Sequence, residues 1–221
     1  MTGGKPVAAA ALAGVPAGVQ AQGVWSGRRQ LFVRFAGEAE TATMYSATAL
    51  LREIERQLGR SRFHSISIGG RDPLANVPFL LASIGTTPPG VPVMLDTDGE
   101  RPAALAELAE HLALVQVTVD FSSSDASVAR AITTIEVAAA AERRHALVLC
   151  PREDTTDVQL LRIIERANAA SAAVEVVIHP ATVTSETTML DRRWATLLEQ
   201  AVGAHPDCRL ALRIPAPAGL R

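Results

Sequence analysis

Glu38 and Glu40 stand two residues apart in a polar segment, and Tyr45, the chain's one tyrosine, follows a few positions on. Two carboxylates at that spacing can divide the work of general acid and base, or hold a cation. The same residues can also be a solvated loop. Tyr45 reads either as a proton donor or as a ring that fills space. Asp72 lies in Gly69–Pro73, a stretch with the composition of a tight turn. Asp96, Thr97, Asp98 and Gly99 make a second turn, and Asp120 and His179 each end an apolar run. A histidine in such a place can move protons, or can serve as a hydrogen-bonded structural group. The five histidines show no H-x3-H spacing, and no metal site is expected. Two cysteines, Cys150 and Cys208, exclude a disulfide framework and are too few to form a zinc site or a cubane cluster unaided. Each reads as a small buried hydrophobe. Nucleophile-elbow, Walker and dinucleotide-binding motifs are missing.

Strands and helices alternate along the chain to carry these residues. Residues 30–35 (QLFVRF) read as a strand, 46–58 as a helix with Leu50, Leu51, Ile54 and Leu58 at helical spacing, and 64–68 (HSISI) as a strand ended by Gly69 and Gly70. A helix is expected over 74–84, a strand over 91–95, and a helix over 102–111 with Pro102 in its first turn. A strand at 115–119 precedes a long helix over 125–143, capped by Ser124 or Asp125. The pattern continues with a strand at 146–150, a helix over 154–170 with Val158, Leu161 and Ile164 on one face, a strand at 174–178, a helix over 188–204 and a strand at 209–214.

About six strand–helix units result, with strands that read as apolar on both faces. That argues for a parallel sheet covered by helices, in a single domain over 1–221 with residues 1–18 expected to be flexible. Six units are too few for a closed eight-unit barrel of about 250 residues, which leaves a partial barrel or a doubly wound sheet. Either arrangement puts ligands at the C-terminal ends of the strands.

The 221 residues have a formal net charge of -2 and no long run of basic residues, so a nucleic-acid surface is not expected. No stretch of 18 apolar residues is present, and no membrane association is expected. Residues 7–15 (VAAAALAGV) imitate a signal peptide faintly; cytoplasmic location without cleavage is the expectation.

Several of these segments resemble, in order, motifs of the 7-carboxy-7-deazaguanine synthases, which are radical S-adenosylmethionine enzymes. Residues 20–28 (QAQGVWSGR) are similar to the family's QGEG-x-x-x-GR stretch, and 31–37 (LFVRFAG) to its FVR-x-AG strand. Residues 70–74 (GRDPL) stand where GGEPL is usual, and 96–99 (DTDG) resemble the (E/D)TNG turn. His179 and Pro180 fall where Gln-Pro is frequent, and 205–210 (HPDCRL) resemble the closing HP-x-x-RL strand. The resemblance implies a radical-SAM-like fold: a partial (βα)6 barrel, a parallel sheet with outer helices.

It also implies site residues. Gly70, Asp72, Thr97, Asp98 and Asp120 would hold S-adenosylmethionine, and Gln20, Gln22 and Arg28 would contact the substrate, with Arg28 pairing a carboxylate. Arg71 puts a bulky cation where the family has glycine. The three cluster cysteines, commonly C-x3-C-x2-C, are replaced by Glu38, Ala42 and Tyr45, and Ser46 and Ala47 replace the Asp-Thr pair linked to magnesium. Residues 213–216 (RIPA) replace a Q-x-HK wall of the substrate site. Without thiolates no [4Fe–4S] cluster is expected, and so no radical cleavage. One expectation is then a non-radical enzyme, S-adenosylmethionine-dependent or lyase-type, acting on a pterin- or purine-like acid through Glu38, Asp72 or His179. Another is a pseudoenzyme, a homodimer or the partner subunit of an active relative. A third is an unrelated α/β domain.

Overall fold

A computed structural model describes residues 8–85, 90–121, 124–152, 154–180 and 192–211, with the side chain of Arg192 excepted. Among them ten strands form one sheet. Seven run parallel: β3 (Arg29–Phe35), β5 (Ser65–Gly70), β6 (Val93–Thr97), β7 (Leu114–Asp120), β8 (Arg144–Cys150), β9 (Glu175–Ile178) and β10 (Cys208–Leu210). They lie side by side in chain order. A doubly wound sheet reverses its order at a switch point; this one does not, which removes that alternative.

Between the strands come α1 (Ala47–Arg60), α2 (Val77–Leu80), α3 (Pro102–Leu108), α4 (Asp125–Ala140), α5 (Asp157–Ala170) and α6 (Arg192–Ala204). Right-handed crossovers in an unreversed order place successive helices on one side of a sheet. Accordingly α3 packs on α4, α4 on α5, and α5 on α6. Local chemistry fixes where the longer helices start. Ser46 and Ser124 accept from the backbone amides of Ala49 and Ser127, and Thr156 with Gln159 forms a capping box at the head of α5.

Three antiparallel strands extend the sheet beyond β3: β1 (Ala9–Gly14), β2 (Ala17–Val19) and β4 (Thr43–Ser46). Periodicity does not reveal them. β1 is mostly alanine, a weak strand former, and β2 and β4 are very short. The expectation that residues 1–18 are flexible is corrected over the described part, because β1 holds β4 in register from Ala9↔Ser46 to Leu12↔Thr43.

Several boundaries also move. Gly69 and Gly70 belong to β5, which runs on to end at Gly70, and pair with Arg34 and Phe35. Asp96 and Thr97 belong to β6. The helix expected over 74–84 is a 3-10 turn, one α turn and a π turn in succession. α4 ends at Ala140, and α5 begins after Thr156. Val158 is exposed, and α5 buries Leu160, Ile163, Ile164 and Ala167 instead. Residues 188–191 and 212–214, placed by the sequence in a helix and a strand, lie outside the described residues, as do 213–216.

The largest correction concerns the two faces of the sheet. Val93 and Leu95, Val115 and Val117, Leu147 and Leu149, and Val176 and Ile178 join the main core with the helices. The residues between them point to the concave side, and several are polar: Ser67, Asp96, Gln116, Thr118 and His179. The strands are therefore not apolar on both faces. Helices cover one face only, and the other is free to build a site.

Candidate functional site

The hairpin loop between β2 and β3, residues 20–28, folds onto the concave face. Its ends are tied by Gln20 N–H to Arg28 O (2.9 Å) and Gly27 N–H to Gln20 O (2.9 Å). Trp25 enters a small apolar cluster with Met94, Leu114 and Ala146 and meets His64 edge-on, ring centroids 4.9 Å apart. The peptide of Gly23 presses on the sheet. Its N–H donates to His179 Nε2 (2.8 Å), and the N–H of Val24 donates to Gln116 Oε1 (3.2 Å). Gly23 has φ +81°, and a Cβ there would stand 1.8 Å from Gln116 Oε1. Only glycine allows this approach.

Above the hairpin sits Asp96. Its Oδ1 accepts from Thr118 Oγ1 (2.9 Å), and the Gln116 and Gln20 amides also act on the carboxyl. Burial pushes its pKa up, against the lowering effect of the Thr118 hydrogen bond and of the nearby Gln116 and Gln20 amides. The residue still keeps some solvent exposure, as does Thr118 beside it. An acid sunk among protein atoms, reachable from outside and held toward its protonated form, is the arrangement expected of a proton donor or a hydrogen-bonding anchor. Sequence reading left Asp96 in a turn and did not choose it. The available signal was the alternation in residues 114–120 (LVQVTVD), which puts Gln116, Thr118 and Asp120 on one face.

At the C-terminal strand ends the structure brings together the residues matched to the cofactor site. Gly70 has φ +95°, and a Cβ on it would lie 2.3 Å from Phe35 O. Asp72 has φ 41° and is ion-paired, Arg101 Nε to Asp72 Oδ2 at 2.7 Å. Thr97 Oγ1 accepts from Gly99 N–H (3.1 Å), and Asp98 Oδ1 from Glu100 N–H (3.2 Å). Asp98 is exposed, with its pKa raised by partial desolvation and then by the charge of Glu100, despite the backbone amide. Asp120 lies 3.4 Å from Arg152.

The other expected residues have partners or places of their own. Glu38 is exposed in the turn before β4. Glu40 is not a free partner for it. Its carboxylate takes Arg34 Nη2 (2.9 Å) and Gly37 N–H (2.9 Å). His179 is buried, and its Nε2 lone pair is already used by Gly23. Gln20 is buried beside Asp96, and Gln22 lies near Cys150, Oε1 to Sγ 3.9 Å. Arg28 is exposed at the N-terminal end of β3, where its charge falls on His64. It does not join Asp72, Thr97 and Asp98.

The positions matched to cluster cysteines do not fit a cluster. Tyr45 is held in the edge strand β4 opposite Ala10 and packs on the main core. Ala42 offers no donor, and Glu38 a carboxylate. Cys150 and Cys208 lie elsewhere in the sheet; burial, with a smaller push from Asp207, raises the Cys208 thiol to about 11.

No family model matches the sequence. Over 125 residues the chain is 31% identical to the 7-carboxy-7-deazaguanine synthase of Methanothermobacter thermautotrophicus, covering 50% of this chain and 47% of that protein. The relationship is distant. The chain spans about half the length of the curated relative it matches. Streptococcus suis SuiB superposes with a TM-score of 0.53 over 80% of this chain and 44% of its own, at 11% identity, a likeness of fold alone. A type I 3-dehydroquinate dehydratase from Clostridium difficile gives 0.43 at 10% identity, over 75% and 70% of the two chains. No helix among the described residues is long and apolar enough to cross a membrane.

Proposed function

We propose that this chain is a relative of the 7-carboxy-7-deazaguanine synthases that works without a [4Fe–4S] cluster, and that its concave face binds a small polar ligand by non-radical means. The observation that carries the reading is Asp96: a carboxyl deep in the concave face, still open to solvent, with Thr118, Gln116 and Gln20 about it. A flat heterocycle with ring nitrogens or a carbonyl, such as a pterin- or purine-like acid, suits an acid that can donate a proton or a hydrogen bond.

The residues matched to S-adenosylmethionine fit that molecule in part. Exposed Asp98 is available to a ribose or an ammonium, and Gly70 keeps backbone exposed at the strand end. Asp72 would first have to exchange Arg101 for the ligand. When bound, S-adenosylmethionine supplies a methyl or aminocarboxypropyl group activated by its sulfonium. The chain's share would be orientation by Asp98 and the control of a proton at Asp96.

Isothermal titration with S-adenosylmethionine, S-adenosylhomocysteine and a pterin carboxylic acid tests the reading. Binding of one of them, weakened at least tenfold by Asp96→Ala, is expected. No binding of any, in wild-type protein that is folded by circular dichroism, overturns it. Anaerobic reconstitution is expected to give no stoichiometric iron and sulfide.

A second reading, the non-catalytic partner subunit, is favoured by the internally paired charges. Asp72, Glu40 and Asp120 each face an arginine. Co-purification with an active relative from the native host, together with absence of turnover, would support it.

A further inference from the structure

We infer that the N-terminal end of the sheet, where Arg28, Arg29, Arg60 and Arg62 gather, is a docking surface for an acidic segment of a protein partner. The pairing of β3 with β5 makes the patch. Gln30 lies opposite Ser65, and Arg29 O accepts from His64 N–H at 2.9 Å, so Arg28 and Arg29 stand beside Arg62, Phe63 and His64. Arg60 is the last residue of α1, one residue from the cap Ser61. All four arginines are exposed. None takes part in an ion pair among the described residues.

Arginines around the opposite end of the strands behave differently. Arg34, Arg101, Arg130 and Arg152 each have an acidic partner within 3.4 Å. At the N-terminal end Arg144 and Arg209 share Glu175, and at the mouth Arg71 has no ion pair among the described residues, so the unpaired charge is concentrated at the corner of Arg28, Arg29, Arg60 and Arg62 rather than spread over one whole end. The open potential already acts inside the chain, since Arg28 helps to hold His64 below its ordinary pKa, after burial. All but one of the 21 Lys and Arg residues are arginine. A guanidinium matches a carboxylate through two parallel hydrogen bonds.

Carboxylates are favoured over a nucleic acid strand by the state of the nearby rings. Binding to a single strand relies on free aromatic faces for stacking. Here Arg29 already lies over the Phe63 ring, 4.9 Å from its centroid, and Trp25 is buried against the sheet. What the patch exposes instead is Val19, paired with Arg29 and 45% exposed. A peptide carrying Glu or Asp on both sides of an apolar side chain fits that combination.

Fluorescence anisotropy with a labelled synthetic peptide, a leucine flanked on each side by a short run of glutamates, tests this on the full chain. Saturable binding is expected, weakening about tenfold as salt is raised from low to physiological strength, because exposed charges are screened over about 8–10 Å. Arg28→Glu with Arg62→Glu should weaken it at least tenfold further, whereas Arg162→Glu, on the distant exposed side of α5, should leave it unchanged. Should the double variant melt early, Arg60→Ser with Arg62→Ser, both at exposed positions, takes its place with a threefold or greater loss expected. Equal binding by wild-type protein and these variants overturns the inference, as does tighter binding of a short oligo-dT strand or an equal loss in Arg162→Glu.

Discussion

The two faces of this one sheet are built by the same strands to opposite specifications. Outward residues such as Leu95, Val117, Leu147 and Ile178 are completely buried under helices. Inward residues one position away, Asp96, Gln116, Thr118 and His179, are polar and bonded to each other or to the 20–28 hairpin. The outer face obtains its energy from apolar area removed from water. The inner face buries less, Trp25 with its three partners and Val148 and Val177, so its order rests also on hydrogen-bond geometry and on the close approach of a glycine.

On that contrast, the heaviest penalty belongs to the outer face. Leu147→Ala should cost about 2–5 kcal/mol by the usual large-to-small cost, read by urea denaturation. A loss below about 1 kcal/mol would mean that the helices are not tightly packed there.

Gly23→Ala comes next. The methyl would collide with the Gln116 amide, and φ +81° disfavours any side chain. A loss of about 1–3 kcal/mol and a shift in Trp25 fluorescence are expected as the hairpin lifts. Adding Gln116→Ala should recover part of the loss and leave the backbone cost, about 1–2 kcal/mol. An unaltered emission spectrum in the single variant would show that the hairpin does not depend on this contact.

Asp96→Asn separates charge from shape. Burial raises the folded-state pKa above the unfolded value of about 3.9, so the folded chain binds the extra proton. Wild-type stability should match the variant's below about pH 4 and fall relative to it as pH rises through the folded pKa. Parallel stability curves from about pH 4 to 8 would contradict a raised pKa.

The smallest effect is expected at Asp72. Its pair with Arg101 is short, but the arginine side chain is half exposed, so Asp72→Asn should cost about 0.2–1 kcal/mol. A larger loss would make this pair a structural clamp and weaken the case that it can open for a ligand.

Much of the fold was legible in the residues alone. The cap at Ser124, the apolar period of α1 and the short apolar runs announced parallel strands with helices between them, and about six units. What failed did so for identifiable reasons. β1 is alanine-rich and β4 is four residues long, so neither leaves a periodic trace. Val158 matched a helical period but faces water, because α5 turns Leu160 and Ile164 inward. Candidate site residues fared unevenly: Asp72, Thr97 and Asp98 do meet at the strand ends, while Arg28 belongs to the far end and His179 has its Nε2 lone pair engaged.

By itself the sequence determined that Glu38, Ala42 and Tyr45 supply no thiolate, whatever shape surrounds them. It also determined the parallel α/β class, because apolar period and capping are local properties. Only the tertiary structure decided that Asp96 lies at the heart of the concave face, that the 20–28 hairpin rests on it, and that four arginines from two segments form one patch. Those outcomes depend on strand register and on a hairpin folding back on its own sheet, and both join residues far apart in the chain.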